Sequence, residues 1–436
     1  MDRYVRKRSY LDVSAVYLDS PDATSFTRIG LACRVFPDVP HTGEHIKTQI
    51  TSVLREFGLS DETPITSDSG SNILKALSDN VNFVCFCHRF HTCFTDAMKA
   101  TIQEDSDLRL LIDDMRALQG YVSHAGGINH QLPITIKSAC LTRGWEDIIQ
   151  LFHAFDESFD TLNDLLSKKE LQHKLPRNRT LISLVQNWIA PLRQIFRELE
   201  TSKRPALHMV LVAYYKVEKY CESASNSHPC LRILAKYLWS AMEKKYWTST
   251  TTTHMIAVFL HPNLKSLSMI ANSSSTKSTW LKSVRQDIES GIVKLANDLP
   301  INSCAHPSQS QSSPQNKKAK LHDDGEKTDG FFDDMFEVDA KTLTPERERT
   351  VEDEINDYKI MTVQVKHTNP LDFWKENSDR FPILNQLSRQ IFIIQASSAE
   401  SERHFSCAGN IVTEKRGSLD GETVEMLVLL KTNKRT

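Results

Sequence analysis

The stretch Ala396–Arg416, ASSAESERHFSCAGNIVTEKR, decides how the rest of the chain is read. Ser397 and Glu400 stand at the spacing of a capping box, in which a serine hydroxyl takes an amide of the first turn and the glutamate reaches back. A helix begun there carries Glu402 in its first turn, where the helix dipole favours a carboxylate. Gly409 can close that helix, because glycine accepts the left-handed conformation of a helix end. A second helix is expected around Val424, Leu427, Val428 and Leu430. The two pieces present Phe405, Ile411, Val412, Leu427, Val428 and Leu430 as amphipathic faces, which either close a core or are covered by a partner.

Upstream, LDFWKENSDRFPILNQLSRQIFII (371–394) is apolar enough to be ordered. Before it, residues 302–330 are rich in Ser, Pro, Gln and charge and have almost nothing apolar to bury, the composition of a disordered linker. Lys317, Lys318 and Lys320 form a KKxK cluster there, readable as a nuclear-import signal or as a solvated basic patch. Residues 323–357 hold 14 Asp and Glu against 4 Lys and Arg, leaving 49 basic and 41 acidic residues elsewhere. A mildly basic body is compatible with nucleic-acid binding without requiring it.

Residues 105–301 keep a helical period almost throughout: Leu181, Val185, Trp188, Ile189, Leu192, Ile195, Phe196 and Leu199 step by three and four. The first hundred residues read instead as α/β. YLDVSAVYLD (10–19) and FTRIGLACRVF (26–36) form expected antiparallel strands, and a helix follows from Gly43. Then come a short strand at PIT, the turn Ser67-Asp68-Ser69-Gly70, a helix through Ile73 and Leu77, and a buried strand at VNFVCF (81–86).

The length of 436 residues suggests about three domains. No run approaches the roughly 18 apolar residues of a membrane helix, and MDRYVRKRSY lacks the apolar core of a secretory leader. Nine cysteines without regular spacing suit reduced thiols in the cytosol or nucleus. The GxSxG, GxxxxGK[ST] and GxGxxG patterns of hydrolases, P-loop proteins and dinucleotide enzymes do not occur.

Seven stretches in order, MDRYVRKRSYLDVSAVYL, TSDSGSNILKAL, CFCH, CLTRGW, AVFLHPNLKSL, LDFWKENSDRFPIL and the opening segment, resemble landmarks of the hAT superfamily of transposases. The resemblance implies an α/β, RNase H-like catalytic core interrupted by a large all-α insertion. Residues 1–104 would be the first part of the core, 105–301 the insertion, 302–357 a linker with an acidic stretch, and 358–436 the dimerisation region that completes the core. The implied chemistry is DNA strand cleavage and transfer by two Mg²⁺ or Mn²⁺ ions on an Asp, Asp, Glu set. Hard ions take oxygen ligands, and an ion pair activates the attacking oxygen while stabilising the leaving one.

By the same resemblance Asp68 is the second acid and Glu402 the third, both as metal ligands and catalytic residues. Local sequence alone reads Asp68 as a turn or cap aspartate and Glu402 as a helix-dipole glutamate. The first acid is expected in a strand upstream of Asp2, so the resemblance implies that this sequence starts after that strand and lacks cleavage, or that a longer chain supplies it. A zinc-finger DNA-binding module is likewise expected ahead of the core. His88 would approach DNA, with Arg143 and Trp145 from the C-x-x-R-W motif. Trp145 would stack on a flipped base, although Gly144 shifts its register and a buried structural tryptophan is the alternative.

Cys85, Cys87, His88, His91 and Cys93 crowd one junction in a spacing ill suited to a tetrahedral site, so no structural zinc is expected, and Cys87 is expected in the core. Three functions follow. One is a nuclear, transposase-derived protein that binds DNA and forms a homodimer or larger oligomer. The second is an active transposase using Mg²⁺ or Mn²⁺. The third is a dimerisation scaffold that leaves DNA alone. None needs a membrane or a small-molecule cofactor.

Overall fold

Strand β1 (Tyr10–Tyr17) pairs antiparallel with β2 (Thr27–Val35), as their β-branched alternation predicts. The register slips between Val13 and Ser14, which face Ala32 and Gly30, so Leu31 is an extra residue and the hairpin bends there. After α1 (Gly43–Glu56), β3 (Ile65–Ser67) and β4 (Asn82–Val84) lie parallel, joined through α2 (Ser71–Ala76). The computed structural model describes residues 9–36, 39–124, 127–136, 144–271, 278–299, 349–364, 366–412 and 419–433. Among these the strands form two separate two-stranded sheets.

Helices α1 and α2 cover both sheets from one side. Phe36, Ile46, Ile50, Leu54, Ala76 and Leu77 form a cluster on which Leu11 of β1 and Ile65 of β3 both pack. The expected strand 81–86 ends at Val84, because Cys85 caps α3 (Phe86–Glu104): its Sγ accepts the His88 N–H at 3.4 Å.

The helical stretch runs through α4 (Ser106–His124), α5 (Gly144–Ser167), α6 (Arg179–Leu199), α7 (Met209–Ser223), α8 (Pro229–Ala241), α9 (Thr252–Leu260), α10 (Ser268–Ala271) and α11 (Ser278–Asn297). In α6 the periodic stripe is buried at Leu181, Val185, Trp188, Ile189, Leu192 and Leu199. The chain then forms α12 (Val351–Ile360), α13 (Pro370–Glu376), α14 (Pro382–Phe392), α15 (Ala399–Ile411) and α16 (Gly421–Asn433). The fold is therefore of the α/β class, mostly helical with small sheets.

These last five helices divide their packing. Tyr358, Phe373, Trp374 and Phe381 gather against α9, where Trp374 Nε1 donates to the Leu260 carbonyl at 2.9 Å and the Tyr358 hydroxyl donates to the same oxygen at 3.1 Å. Lys265 Nζ donates to the carbonyls of Tyr358, at 2.5 Å, and Met361, placing a cation at the carboxyl end of α12 as the helix dipole favours.

In contrast, α15 and α16 lie on the hairpin, burying Cys407, Ala408, Ile411, Val424 and Val428 around Cys33. Helix α16 also covers the outer edge of β2. Asn433 Oδ1 accepts the Gly30 N–H at 2.8 Å, its Nδ2 donates to the Gly30 carbonyl at 3.2 Å, and Glu425 Oε1 accepts the Cys33 N–H at 3.2 Å. Side chains thus satisfy an edge that would otherwise invite another strand. Gly30 permits this approach, since a Cβ there would stand 2.8 Å from Leu429 Cδ2.

Two expectations for α15 are corrected. The N-cap is Ser398, whose side chain makes no capping bond, and Glu400 turns away to Arg28 and Arg403 instead of closing a capping box. Gly409 does not end the helix, which continues to Ile411 because the apolar face of Cys407, Ala408 and Ile411 stays in contact with the hairpin.

Candidate functional site

The parallel strands deliver Ser67 and Val84 to one edge, and two helices begin there. Cys85 N–H donates to the Ser67 carbonyl at 2.7 Å, Phe86 N–H to the Ala396 carbonyl at 2.9 Å, and Thr66 Oγ1 to the Gln395 carbonyl at 2.8 Å. The segment leading into α15 is thereby laid against the carboxyl ends of β3 and β4. Asp68, just after β3, His88, in the first turn of α3, and Glu402, in the first turn of α15, all belong to elements that start from this edge. Carboxyl ends of parallel strands and helix N-termini are the usual ligand-facing parts of α/β folds.

Asp68 is exposed, and its Oδ1 accepts the Gly70 N–H at 2.9 Å, the turn that its local sequence suggests. His88 is exposed and stacks on His91 with ring centroids 6.1 Å apart and planes 12° from parallel. Beneath it Cys85 is fully buried; a hydrogen bond from Cys87 brings its thiol down to about 7 against the opposing effect of burial. Cys87 is buried as expected, and burial pushes its own thiol well up. Among the described residues no three His, Cys, Asp or Glu side chains lie close enough together to hold a metal ion. The described residues therefore do not gather the carboxylate set that a hard divalent ion pair requires.

Glu402 is exposed. Its neighbours on α15 fix the helix by contacts from distant parts of the chain. Glu400 Oε2 receives Arg28 Nη1 at 2.5 Å, Arg403 Nη1 at 2.6 Å and the Ser202 hydroxyl at 3.2 Å. Burial opposes the charge on Glu400, but Arg28 and Arg403 outweigh it and hold the carboxyl below its ordinary range. His404 Nδ1 meets Asp12 Oδ1 of β1 at 2.8 Å, with both side chains buried. Residues 400 and 404 share one helix face and 402 lies opposite, so these anchors turn Glu402 outward. Arg28, Ser202, Asp12 and His404 carried no signal in the sequence, because each meets its partners only through the fold.

Of the six apolar residues expected on amphipathic faces, Ile411 and Val428 are buried in the chain's own core, and Val412 and Leu427 pack against it. Phe405 and Leu430 remain exposed, together with Met426, one turn before Leu430, a spacing the sequence reading passed over. Met426, Leu429 and Leu430 line a shallow cavity of about 540 Å³ with Glu422, Glu425 and Asn433. Helical period sets which side faces the hairpin, and that side takes four of the six, so part of these faces closes the chain's own core.

Arg143 and the cluster Lys317, Lys318 and Lys320 lie outside the described residues, as does the linker around the cluster. Trp145 falls in the first turn of α5, with its side chain outside the described set.

Comparison with known proteins bears on the family. Residues 351–433, which comprise α12–α16, match the hAT family C-terminal dimerisation region. The chain is 22% identical over 223 residues to the Transposable element Hobo transposase of Drosophila melanogaster, covering 51% of this chain and 33% of that protein. It is 24% identical over 248 residues to the Zinc finger BED domain-containing protein DAYSLEEPER of Arabidopsis thaliana, covering 55% of the chain and 32% of that protein. It is 21% identical over 438 residues to the Zinc finger BED domain-containing protein RICESLEEPER 2 of Oryza sativa subsp. japonica, covering 90% of the chain and 58% of that protein. The chain thus spans between a third and three-fifths of the length of these relatives. Motifs in order, a matched C-terminal region and aligned relatives agree: the chain carries the hAT family C-terminal dimerisation region and is similar to hAT-type transposases beyond it.

Proposed function

We propose that this chain is a nuclear, self-associating DNA-binding protein derived from a transposase and built on an RNase H-like core. The observation that carries the reading is the meeting of elements from opposite ends of the chain at the carboxyl edge of β3 and β4, which brings Asp68, His88 and the helix of Glu402 to one place. The core assignment is supported by a hairpin and a parallel pair that share one helical layer, with α15 and α16 on the hairpin's other face. In an RNase H-like sheet one further strand runs between β1 and β3 and bears the first acid. Each of those strands is paired on one side alone among the described residues. Nuclear location and DNA binding are what the transposase and BED-type relatives suggest by name.

Binding and self-association form the proposed activity, supported by the matched dimerisation region and by the BED-type relatives. The second reading is metal-dependent DNA cleavage, favoured by the retention of Asp68, Glu402 and His88 at one edge. Titration of duplex DNA at several salt concentrations, with sedimentation of the free chain, tests the first. Phosphate contacts give a steep fall of affinity with salt, and a salt-independent or absent interaction would leave only a dimerisation scaffold. Mn²⁺-dependent nicking of supercoiled DNA that disappears in Asp68→Asn would establish the second reading instead.

A further inference from the structure

The oxygen Oε2 of Glu400 sits in an unusual donor set: two guanidinium groups and a hydroxyl, from three separate parts of the fold. Arg28 comes from β2, Ser202 from the loop after α6, and Arg403 from α15 itself. Arg28 Nη1 and Arg403 Nη1 each also lie 3.0 Å from the Ser202 hydroxyl, so the three donors support one another as well as the carboxylate. The loop is pinned in place: Phe26 N–H donates to the Lys203 carbonyl at 3.3 Å, and Arg403 Nη2 donates to the Glu200 carbonyl at 3.2 Å. Paired arginines with a hydroxyl at the first turn of a helix are the donors that recognise a phosphate oxygen.

We propose that Arg28, Arg403 and Ser202 form a contact site for a DNA backbone phosphate, and that Glu400 is the internal anion that fills it when DNA is absent. The charge balance favours exchange, since two guanidinium groups face one carboxylate. Access is available as well: the Arg403 side chain is 48% exposed and Glu400 18%. Lys203 is exposed on the same loop and extends the positive surface. When Glu400 swings out, its other oxygen leaves His404 Nε2, only 3.9 Å away, while the Asp12 bond keeps His404 and α15 in place. The site lies at the start of the helix that bears Glu402. The inference rests on the DNA-binding reading above and adds residues to it.

The test is fluorescence anisotropy of a labelled duplex with the full chain between 50 and 200 mM salt. One phosphate contact contributes about threefold to the ratio of affinities across that range. Arg403→Gln should weaken binding and reduce the slope of log affinity against log salt by about one. Glu400→Gln should tighten binding. Thermal melting of each variant accompanies the titration, and Arg403, the more exposed arginine, is the primary variant should Arg28→Gln fail to fold. Wild-type chain that binds with a steep salt slope, together with an Arg403→Gln of native melting and unchanged slope, would overturn the phosphate site alone. Weaker binding by a natively melting Glu400→Gln would overturn its part as internal anion. A wild-type chain without salt-dependent DNA binding would overturn the DNA reading itself.

Discussion

Asp12 on β1 and His404 on α15 meet at 2.8 Å with side chains 0% and 2% exposed. It is a polar tie between the hairpin and the middle of α15, and it is out of water. Removing one partner of a buried hydrogen bond leaves the other polar group unsatisfied, at a cost of about 1–3 kcal/mol. His404→Ala should therefore lower the unfolding free energy by that amount, and Asp12→Asn by less, because the amide can still take a hydrogen bond from the imidazole. In a double-mutant cycle the two changes should be strongly non-additive. Additive losses would show that each residue serves a separate partner.

Acid should destabilise the chain through its buried histidines. Burial brings the His254 and His261 imidazoles down to about 4, and holds His208, whose ring lies 4.7 Å from that of His261, well below its ordinary range. The unfolded chain protonates His254 and His261 near 6.5 and the folded chain only near 4. Their contribution is whole above pH 6.5 and is lost as pH falls from there towards 4, by about 1.4 kcal/mol per pH unit for each group. The Asp12 and Glu354 carboxyls act with the opposite sign, since burial raises both and the folded chain protonates them first. Urea midpoints should fall steadily from pH 7 to pH 5, and His261→Asn should flatten the fall; a flat wild-type profile would contradict neutral buried histidines.

How much of this was legible in the sequence depended on the range of the interaction. The hairpin, α1 and the stripe of α6 follow from periodicity, which acts between near neighbours, and they fold as read. The ends of α15 did not follow, because Ser397 and Glu400 fit a local capping pattern while Glu400 has stronger partners elsewhere. Arg28 is 372 positions away from it, and Asp12 is 392 positions from His404. A capping bond of about 1 kcal/mol yields to two charge-assisted bonds of about 1.5–3 kcal/mol each. The pairing of Gly30 with Asn433 is hidden for the same reason. Family resemblance supplied Asp68 and Glu402, and periodicity could not have singled them out.

Glu354 gives a separate test of the C-terminal packing. It is fully buried on α12, and its carboxylate accepts the N–H groups of Ile383 and Leu384, at 3.1 and 2.8 Å, in the first turn of α14. One helix therefore caps another, where the dipole of α14 also favours the negative charge. Glu354→Ala leaves two amide donors buried without an acceptor, at about 1–3 kcal/mol each. Glu354→Gln retains one acceptor oxygen and should lose about half as much. Equal losses for the two variants, measured by urea unfolding, would place the effect in side-chain packing rather than in the cap.

Self-association should separate the apolar residues of α15 and α16 into two groups. Phe405, Met426 and Leu430 are 41%, 54% and 50% exposed, so a lysine at any of them disturbs little within the chain. Ile411 is 7% exposed and Val428 fully buried against the hairpin. Cutting Ile411 to alanine removes buried methylenes and leaves a cavity, which costs about 2–5 kcal/mol. The expected result is that Met426→Lys with Leu430→Lys lowers the sedimenting mass while the melting temperature of the isolated chain stays level. Ile411→Ala should do the reverse, lowering stability and leaving association intact in the fraction that remains folded. If the lysine pair sediments like the wild type, the partner-facing surface lies on α12–α14, the other part of the matched dimerisation region, and Ile360, 81% exposed at the end of α12, becomes the residue to substitute.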